Sequence, residues 1–244
     1  MGMKFRVSDL QRDLRFIENI AKRYLNRGSE SKLSAAADNL DFVSRNTVRD
    51  SCWQIDEGEA LWTIPSLGKC EKDGRGKSLQ GRLSFVWTMR GVKNGVVELV
   101  DSGKASTVLT IYEVVLDGDV CRLKDGEDQW LQKWSFDIVT DKKAPGPGIH
   151  AQVSNPKNLP IPRVPTMLFS PADCLDFLLG ELFQCDWPKH QTSHARTKDF
   201  AASQRIRMQR LLKEQASALE KMDDYSALTT LKNWSISDTV FSPR

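Results

Sequence analysis

The run Leu83-Ser84-Phe85-Val86-Trp87-Thr88-Met89-Arg90 decides the fold class of this chain. Its largest apolar side chains occupy every second position and alternate with smaller or polar ones. Successive side chains of a strand point to opposite faces of a sheet, so this alternation predicts a strand with one buried face.

Further strands are predicted on both sides of this run. Lys93-Asn94-Gly95 has the composition of a tight turn, and strand-like segments follow it at 96–100, 107–116, 130–139 and 149–153. Before the run, short apolar stretches flank Glu57-Gly58-Glu59 and predict a hairpin, and the glycine-bearing residues 65–81 predict a long loop. Because short connections join antiparallel neighbours, we predict a central curved antiparallel sheet of about five to seven strands over residues 51–154.

Helices are predicted before this sheet. Leu10, Leu14 and Ile17 recur at helical spacing, and Ser8 followed by Gln11 matches a capping box. A second helix is predicted over 32–49, so residues 8–50 form a helical hairpin closed at Gly28.

Helices are also predicted after the sheet. Four prolines in 155–169 alternate with apolar residues, which predicts an extended strap lying on the protein. Ser170-Pro171-Ala172-Asp173 is a strong helix start, Trp187-Pro188 is predicted to end that helix, and a last long helix is predicted over about 196–222. The expected fold is α+β, one domain over 1–244, with C-terminal helices over 170–235.

Composition and targeting signals limit the function classes. The 244 residues are 40% hydrophobic with a net charge of +3, which excludes a disordered or collagen-like chain and gives no global signature of a nucleic-acid binder. No signal peptide and no apolar stretch long enough to span a membrane is present. The five scattered cysteines indicate reduced thiols, so we expect a cytoplasmic protein.

Asp137 and His150 form the first candidate site. If the strands at 130–139 and 149–153 pair as a hairpin, one register places Asp137 opposite His150 and Ser135 opposite Gln152. A carboxylate beside a histidine raises the pKa of the ring and orients it for general acid–base work. Lys142 and Lys143 in the connecting loop then suggest phosphate handling, and the competing interpretation is a polar surface in which the two charges pair weakly.

Basic helices form the second candidate, and a short cysteine–histidine cluster forms the third. The last helix carries six cations that could bind a partner or a nucleic-acid backbone, namely Arg196, Lys198, Arg205, Arg207, Arg210 and Lys213. The first helix has a similar excess of cations on the face that carries Asp13. Cys185, His190 and His194 are weak candidates for metal ligands, because the paired cysteines typical of structural zinc sites are missing. No cofactor-binding motif is present, and we predict no cofactor.

Three hypotheses of function follow from these candidates. The leading one is a non-enzymatic cytoplasmic accessory protein that engages a protein partner or a nucleic-acid backbone through its basic helices. The second is a metal-independent hydrolase of phosphate esters that uses Asp137 and His150. The third is a curved sheet that encloses a small molecule behind Trp87 and Trp134.

Overall fold

The computed structural model describes residues 3–66, 78–112, 114–117, 120–123, 130–139, 149–154, 164–166 and 170–220. The helices in these ranges are α1 (Val7–Ala21), α2 (Ser29–Arg45), α3 (Pro171–Leu182), α4 (Asp186–Ser193) and α5 (Thr197–Glu220). The strands are β1 (Met3–Arg6), β2 (Ser51–Ile55), β3 (Leu61–Trp62), β4 (Ser78–Val92), β5 (Val96–Tyr112), β6 (Val114–Asp117), β7 (Val120–Leu123), β8 (Trp130–Val139), β9 (Ile149–Ser154) and β10 (Val164–Pro165).

An open antiparallel sheet with helices from both ends of the chain confirms the predicted α+β class. The main path of the sheet has the order β10-β9-β8-β5-β4-β2, and β1 and β3 pair with β5 and β4 beside this path. Five of the six strands in this path lie within the predicted range of 51–154, β10 lies beyond it, and all pairings in the described part of the chain are antiparallel. Strands β6 and β7 form a separate two-stranded ribbon.

The hairpin of β4 and β5 forms the centre of the sheet. Asn94 and Gly95 both have positive φ, 65° and 67°, which confirms the predicted turn chemistry. The predicted division of the following segment into two strands is wrong, because β5 runs without a break from Val96 to Tyr112. The register shift between Trp87 and Met89 lets this long strand stay paired with β4.

The edge of the sheet corrects two further expectations. The predicted hairpin around residues 57–59 is wrong: β2 and β3 both pair with β4, in line with each other, and a 3₁₀ turn at Glu57–Glu59 interrupts them. The first strand, β1, was not predicted at all, although Met3 and Phe5 are buried and alternate with Lys4 and Arg6. Four residues carry too short an alternation to be recognised without their partner strand.

The helix boundaries depend on these strands. Helix α1 starts at Val7, directly after β1, and its start has no side-chain cap, so the predicted capping box at Ser8 is wrong. The backbone N–H of Val7 donates to the carbonyl of Gly95 (3.0 Å), which ties the helix start to the central turn. Helix α2 starts right after Gly28, whose φ of 91° confirms this glycine as the break between the two helices.

Aromatic side chains fill the space between the sheet and the helices. Trp53 and Trp87 meet edge to face at 5.4 Å, Phe5 packs on Trp87 at 5.3 Å, and both tryptophans are fully buried. Trp134 packs against Phe177 of α3 at 5.4 Å. The two tryptophans proposed as cavity walls therefore contact other side chains of the core.

The C-terminal helices begin as the sequence predicts. The side chains of Ser170 and Asp173 form a reciprocal capping box at the start of α3, which confirms the strongest local signal in the chain. Trp187 lies in the first turn of α4, so α3 ends earlier than predicted, at Leu182. Of the predicted strap, residues 164–166 are described, and Val164–Pro165 pair with β9; the predicted short helix after residue 222 lies outside the described residues. Within the described ranges, no helix has the length and apolarity needed to cross a membrane.

Candidate functional site

Helix α5 packs antiparallel to α1, and together these helices form the candidate site. Arg196, just before α5, lies over the ring of Phe16 near the end of α1 at 5.9 Å. Arg207, further along α5, contacts Asp13, which lies earlier in α1. Phe200 and Leu211 of α5 are fully buried, and the half-buried residues between them include three polar ones, Ser203, Gln204 and Arg207.

Arg207 is the centre of this polar contact. Its guanidinium donates through Nη1 to Asp13 and through Nη2 to Asp173 of α3 at 2.6 Å. Both carboxylate side chains are almost fully buried, at 2% and 1% exposure, and Arg207 itself is 13% exposed. One guanidinium thus joins three helices in a region with little water.

Neutral donors extend this cluster to a third carboxylate. Gln204 of α5 donates to Asp173 (3.1 Å) and to Asp176 (2.9 Å). Asp176 also accepts from the indole N–H of Trp187 (2.8 Å) and from the amide of Gln191 (2.7 Å). The cluster therefore holds three carboxylates and one guanidinium, and its hydrogen bonds link α1, α3, α4 and α5.

Burial sets the direction of the pKa shifts of two carboxylates in the cluster. It raises the pKa of Asp13, and the guanidinium of Arg207 and the hydroxyl of Ser203 oppose this without reversing it. Burial also raises the pKa of Asp176. For Arg207, burial works to lower the pKa, but Asp173 and Asp13 outweigh it, and the pKa rises. Arg207 therefore stays charged, and the raised pKa values favour the protonation of Asp13 and Asp176 as the pH falls.

A groove with a cavity volume of about 450 Å³ opens beside the cluster, between α1 and α5. Its lining combines apolar, basic and acidic side chains: Phe5, Arg6, Asp9, Leu10, Arg12, Asp13, Phe16, Asp199, Ala202, Ser203, Ile206, Arg207 and Arg210. Phe5 and Leu10 are buried at its floor, whereas Ile206 is 48% exposed. An apolar floor with charged edges is typical of a surface that binds another molecule.

The edges of the groove carry most of its accessible charge. Arg6, Arg12 and Arg210 are exposed, and Arg12 pairs with Asp9 at 3.0 Å. Asp199 lies at the opposite end from Arg6 and Arg210, because α1 and α5 are antiparallel. The end of the groove near Arg6 and Arg210 is therefore positive.

The structure separates the predicted binding cations into two groups. Five are exposed, namely Arg196, Lys198, Arg205, Arg210 and Lys213. Arg207 differs, because its guanidinium is held by Asp13 and Asp173 and is not offered to a partner. Lys142 and Lys143 lie outside the described residues.

The Asp137–His150 pair has the predicted register. Asp137 faces His150 across β8 and β9, Ser135 faces Gln152, and His150 Nε2 lies 3.4 Å from the carboxylate of Asp137. The surroundings differ from the predicted surface, because the side chain of His150 is 1% exposed and that of Asp137 is 20% exposed. Lys104 of β5 faces Asp137 from the other side and is exposed. The pair is placed to fix β9 on β8, while its histidine has little contact with solvent.

The cysteine–histidine cluster does not converge on one point. Cys185 precedes α4, and His190 and His194 lie at the end of this helix with their rings 5.5 Å apart. His190 Nε2 lies 2.8 Å from the carbonyl oxygen of Ile20, so this nitrogen carries the proton and cannot ligate a metal. Burial lowers the pKa of His190, which keeps the ring neutral. The described residues contain no group of three or more His, Cys, Asp or Glu side chains that could hold a metal ion.

Sequence reasoning placed Asp13 on the outer face of α1, and the structure corrects this to an almost fully buried position. The sequence does contain a signal for this burial. Asp13 follows Leu10 by three residues and precedes Ile17 by four, so all three side chains lie on the same face of the helix. A carboxylate on an apolar face requires a buried cation, and α5 supplies it as Arg207. The groove itself depends on the pairing of α1 with α5, which no local pattern indicates.

No protein-family model, no curated protein and no solved structure matches this chain.

Proposed function

We propose that this chain is a non-enzymatic cytoplasmic accessory protein that binds a partner protein in the groove between α1 and α5. The observation that supports this most is the groove itself, with an apolar floor, the half-exposed Ile206 and exposed arginines at its edge. Cys52, Cys174 and Cys185 are free thiols, in keeping with a reducing compartment.

The composition of the groove favours a protein over a nucleic-acid backbone. A phosphate backbone is bound by rows of cations, and neighbouring carboxylates repel it. Here Asp9 lies 3.0 Å from Arg12, and Asp199 occupies the opposite end of the groove from Arg210, so the cations form no continuous row. The apolar floor of the groove also has no counterpart in a phosphate backbone, whereas it fits the apolar side chains of a protein.

The Asp137–His150 pair supports the non-enzymatic proposal. A general base must lie within hydrogen-bond reach of the proton that it removes from a substrate. His150 is 1% exposed, which limits the access of a substrate to its ring. We therefore attribute to this pair a structural role between β8 and β9.

The proposal is tested by affinity capture from native lysate with tagged protein. The wild type is compared with Ile206→Asp, which places a charge in the groove, and with Arg27→Glu, which changes an exposed cation outside it. Each sample is divided into nuclease-treated and untreated halves. We expect a partner that Ile206→Asp loses, that Arg27→Glu keeps and that resists nuclease. Partners that vanish on nuclease treatment, or that Ile206→Asp retains, would contradict the proposal.

A further inference from the structure

We infer that the groove binds an amphipathic helix of the partner, with acidic side chains over the end of the groove formed by Arg6 and Arg210. This inference rests on the proposed function and states the chemistry of the partner.

The length of the groove corresponds to a short helix. Its α5 wall extends from Asp199 to Arg210, which is about 16 Å or three helical turns at 1.5 Å per residue. Two antiparallel helices form the walls, and a third helix can lie between such ridges in contact with both. An extended peptide would need an unpaired strand edge to satisfy its backbone, whereas a helix satisfies its own backbone hydrogen bonds.

Apolar side chains from β1, α1 and α5 all line the groove. Phe16 and Ile206 are partly exposed, and Phe5 and Leu10 lie beneath at the floor. A helix that presents apolar side chains at positions i, i+3 or i+4, and i+7 would place them against this lining over two turns. Ala202 lies between Phe16 and Ile206 in the lining, and its small side chain permits close approach.

The charges set the direction of the bound helix. Arg6 and Arg210 lie at the same end, next to Phe5, Arg210 is exposed, and Asp9 near this end is paired with Arg12 at 3.0 Å. Asp199 and Arg196 lie at the other end, where their charges offset each other. Opposite charges across an interface determine specificity and register, so acidic residues of the partner helix belong at the Arg6–Arg210 end.

The test is selection from a displayed library of helices of about 18 residues, a length that covers the groove with one turn to spare at each end. The library fixes leucine at the anchor positions and randomises the flanking residues among Glu, Lys and Gln. The baits are the wild type, Arg210→Glu, Ile206→Asp and, as the matched control, Arg27→Glu. We expect the wild type and Arg27→Glu to enrich the same sequences, with Glu concentrated near one end, and Ile206→Asp to enrich none.

The charge-reversed bait distinguishes this inference from simple apolar binding. Arg210→Glu should enrich Lys at the positions where the wild type enriches Glu. The best wild-type peptide, labelled and measured by fluorescence anisotropy, should bind Arg210→Glu at least about tenfold more weakly. Enrichment without charge preference, or no enrichment over Ile206→Asp, would overturn the inference. If the helix inference fails but captured protein partners still depend on Ile206, the proposed function stands without the helix inference. If the captured partners do not depend on Ile206, the proposed function and the helix inference both fail.

Discussion

Replacement of Arg207 is expected to be the most destabilising change among the six predicted binding cations of residues 196–213, although the sequence does not distinguish it from the other five. Arg207→Met removes the charge but keeps an unbranched side chain of similar length. It leaves Asp13 and Asp173 buried at 2% and 1% exposure without their cation. Breaking a buried ion pair in this way costs about 3–5 kcal/mol, since the remaining charge is uncompensated.

Arg205→Met is the matched control, because Arg205 is exposed on the same helix two residues earlier. A surface change of this kind alters the free energy of unfolding by about 0.5 kcal/mol or less. Arg207→Lys keeps the charge, but an ammonium group cannot reach both carboxylates as the planar guanidinium does. The free energy of unfolding that this variant loses should therefore lie between the losses in Arg205→Met and Arg207→Met. Urea denaturation at neutral pH measures all three, and for a chain of this size the loss in Arg207→Met corresponds to a Tm lower by about 6–20 °C.

The pH dependence of this loss tests its cause. Burial already raises the pKa of Asp13, and loss of Arg207 removes the cation that opposes that rise. In the variant, Asp13 therefore takes up a proton more readily, and a neutral carboxyl costs less to bury. The difference between Arg207→Met and the wild type should shrink between about pH 7 and about pH 4.5. A loss similar to that of Arg205→Met, or one unchanged by pH, would refute the electrostatic account of the cluster.

Three further predictions concern other parts of the fold. Asp13→Asn should flatten the dependence of the free energy of unfolding on pH. Because the pKa of Asp13 is raised in the folded state, its proton stabilises the fold fully below the ordinary value of 3.8, and this stabilisation is lost as the pH rises through the raised value. Denaturation curves that change with pH as steeply as those of the wild type would contradict the raised pKa of Asp13. Gly91→Ala should destabilise by about 1–3 kcal/mol, because its Cβ would lie 2.2 Å from the carbonyl oxygen of Ser44, whereas Gly58→Ala meets nothing within 4 Å and should match the wild type in thermal unfolding. Ser170→Ala should cost about 1–2 kcal/mol in urea denaturation, since it removes the hydroxyl that accepts from the backbone N–H of Asp173, and a change below about 0.3 kcal/mol would show that the capping box contributes little.

Binding to the groove should be tested with variants of Arg210 and not of Arg207. A change at Arg207 that abolished binding would report damage to the contact between α1 and α5, because its guanidinium faces Asp13 and Asp173. Arg210 lies less than one turn further along the same helix and faces the groove. The two arginines thus separate a structural effect from a binding effect within one helix.

Local sequence patterns determined the class of the fold, the central turn and the start of α3. The alternation through Trp87 and Met89 predicted the central strand, and Asn94-Gly95 predicted its turn, because positive φ restricts the residues that fit there. Ser170 and Asp173 predicted the start of α3 for the same kind of reason, since their hydrogen bonds join neighbouring residues. The register of Asp137 on His150 is one of those that keep the apolar residues of both strands on one face, and the tertiary structure selects it among them.

The tertiary structure decided what no local pattern contains. Whether β2 and β3 pair with each other or with β4 depends on a partner distant in sequence, as does the strand at Met3–Arg6. Arg207 has the same local sequence features as exposed Arg205, yet the packing of α5 on α1 and α3 buries it between two carboxylates. The candidate groove exists for this reason alone: the sequence supplied its arginines and apolar residues, and long-range packing brought them together on one surface.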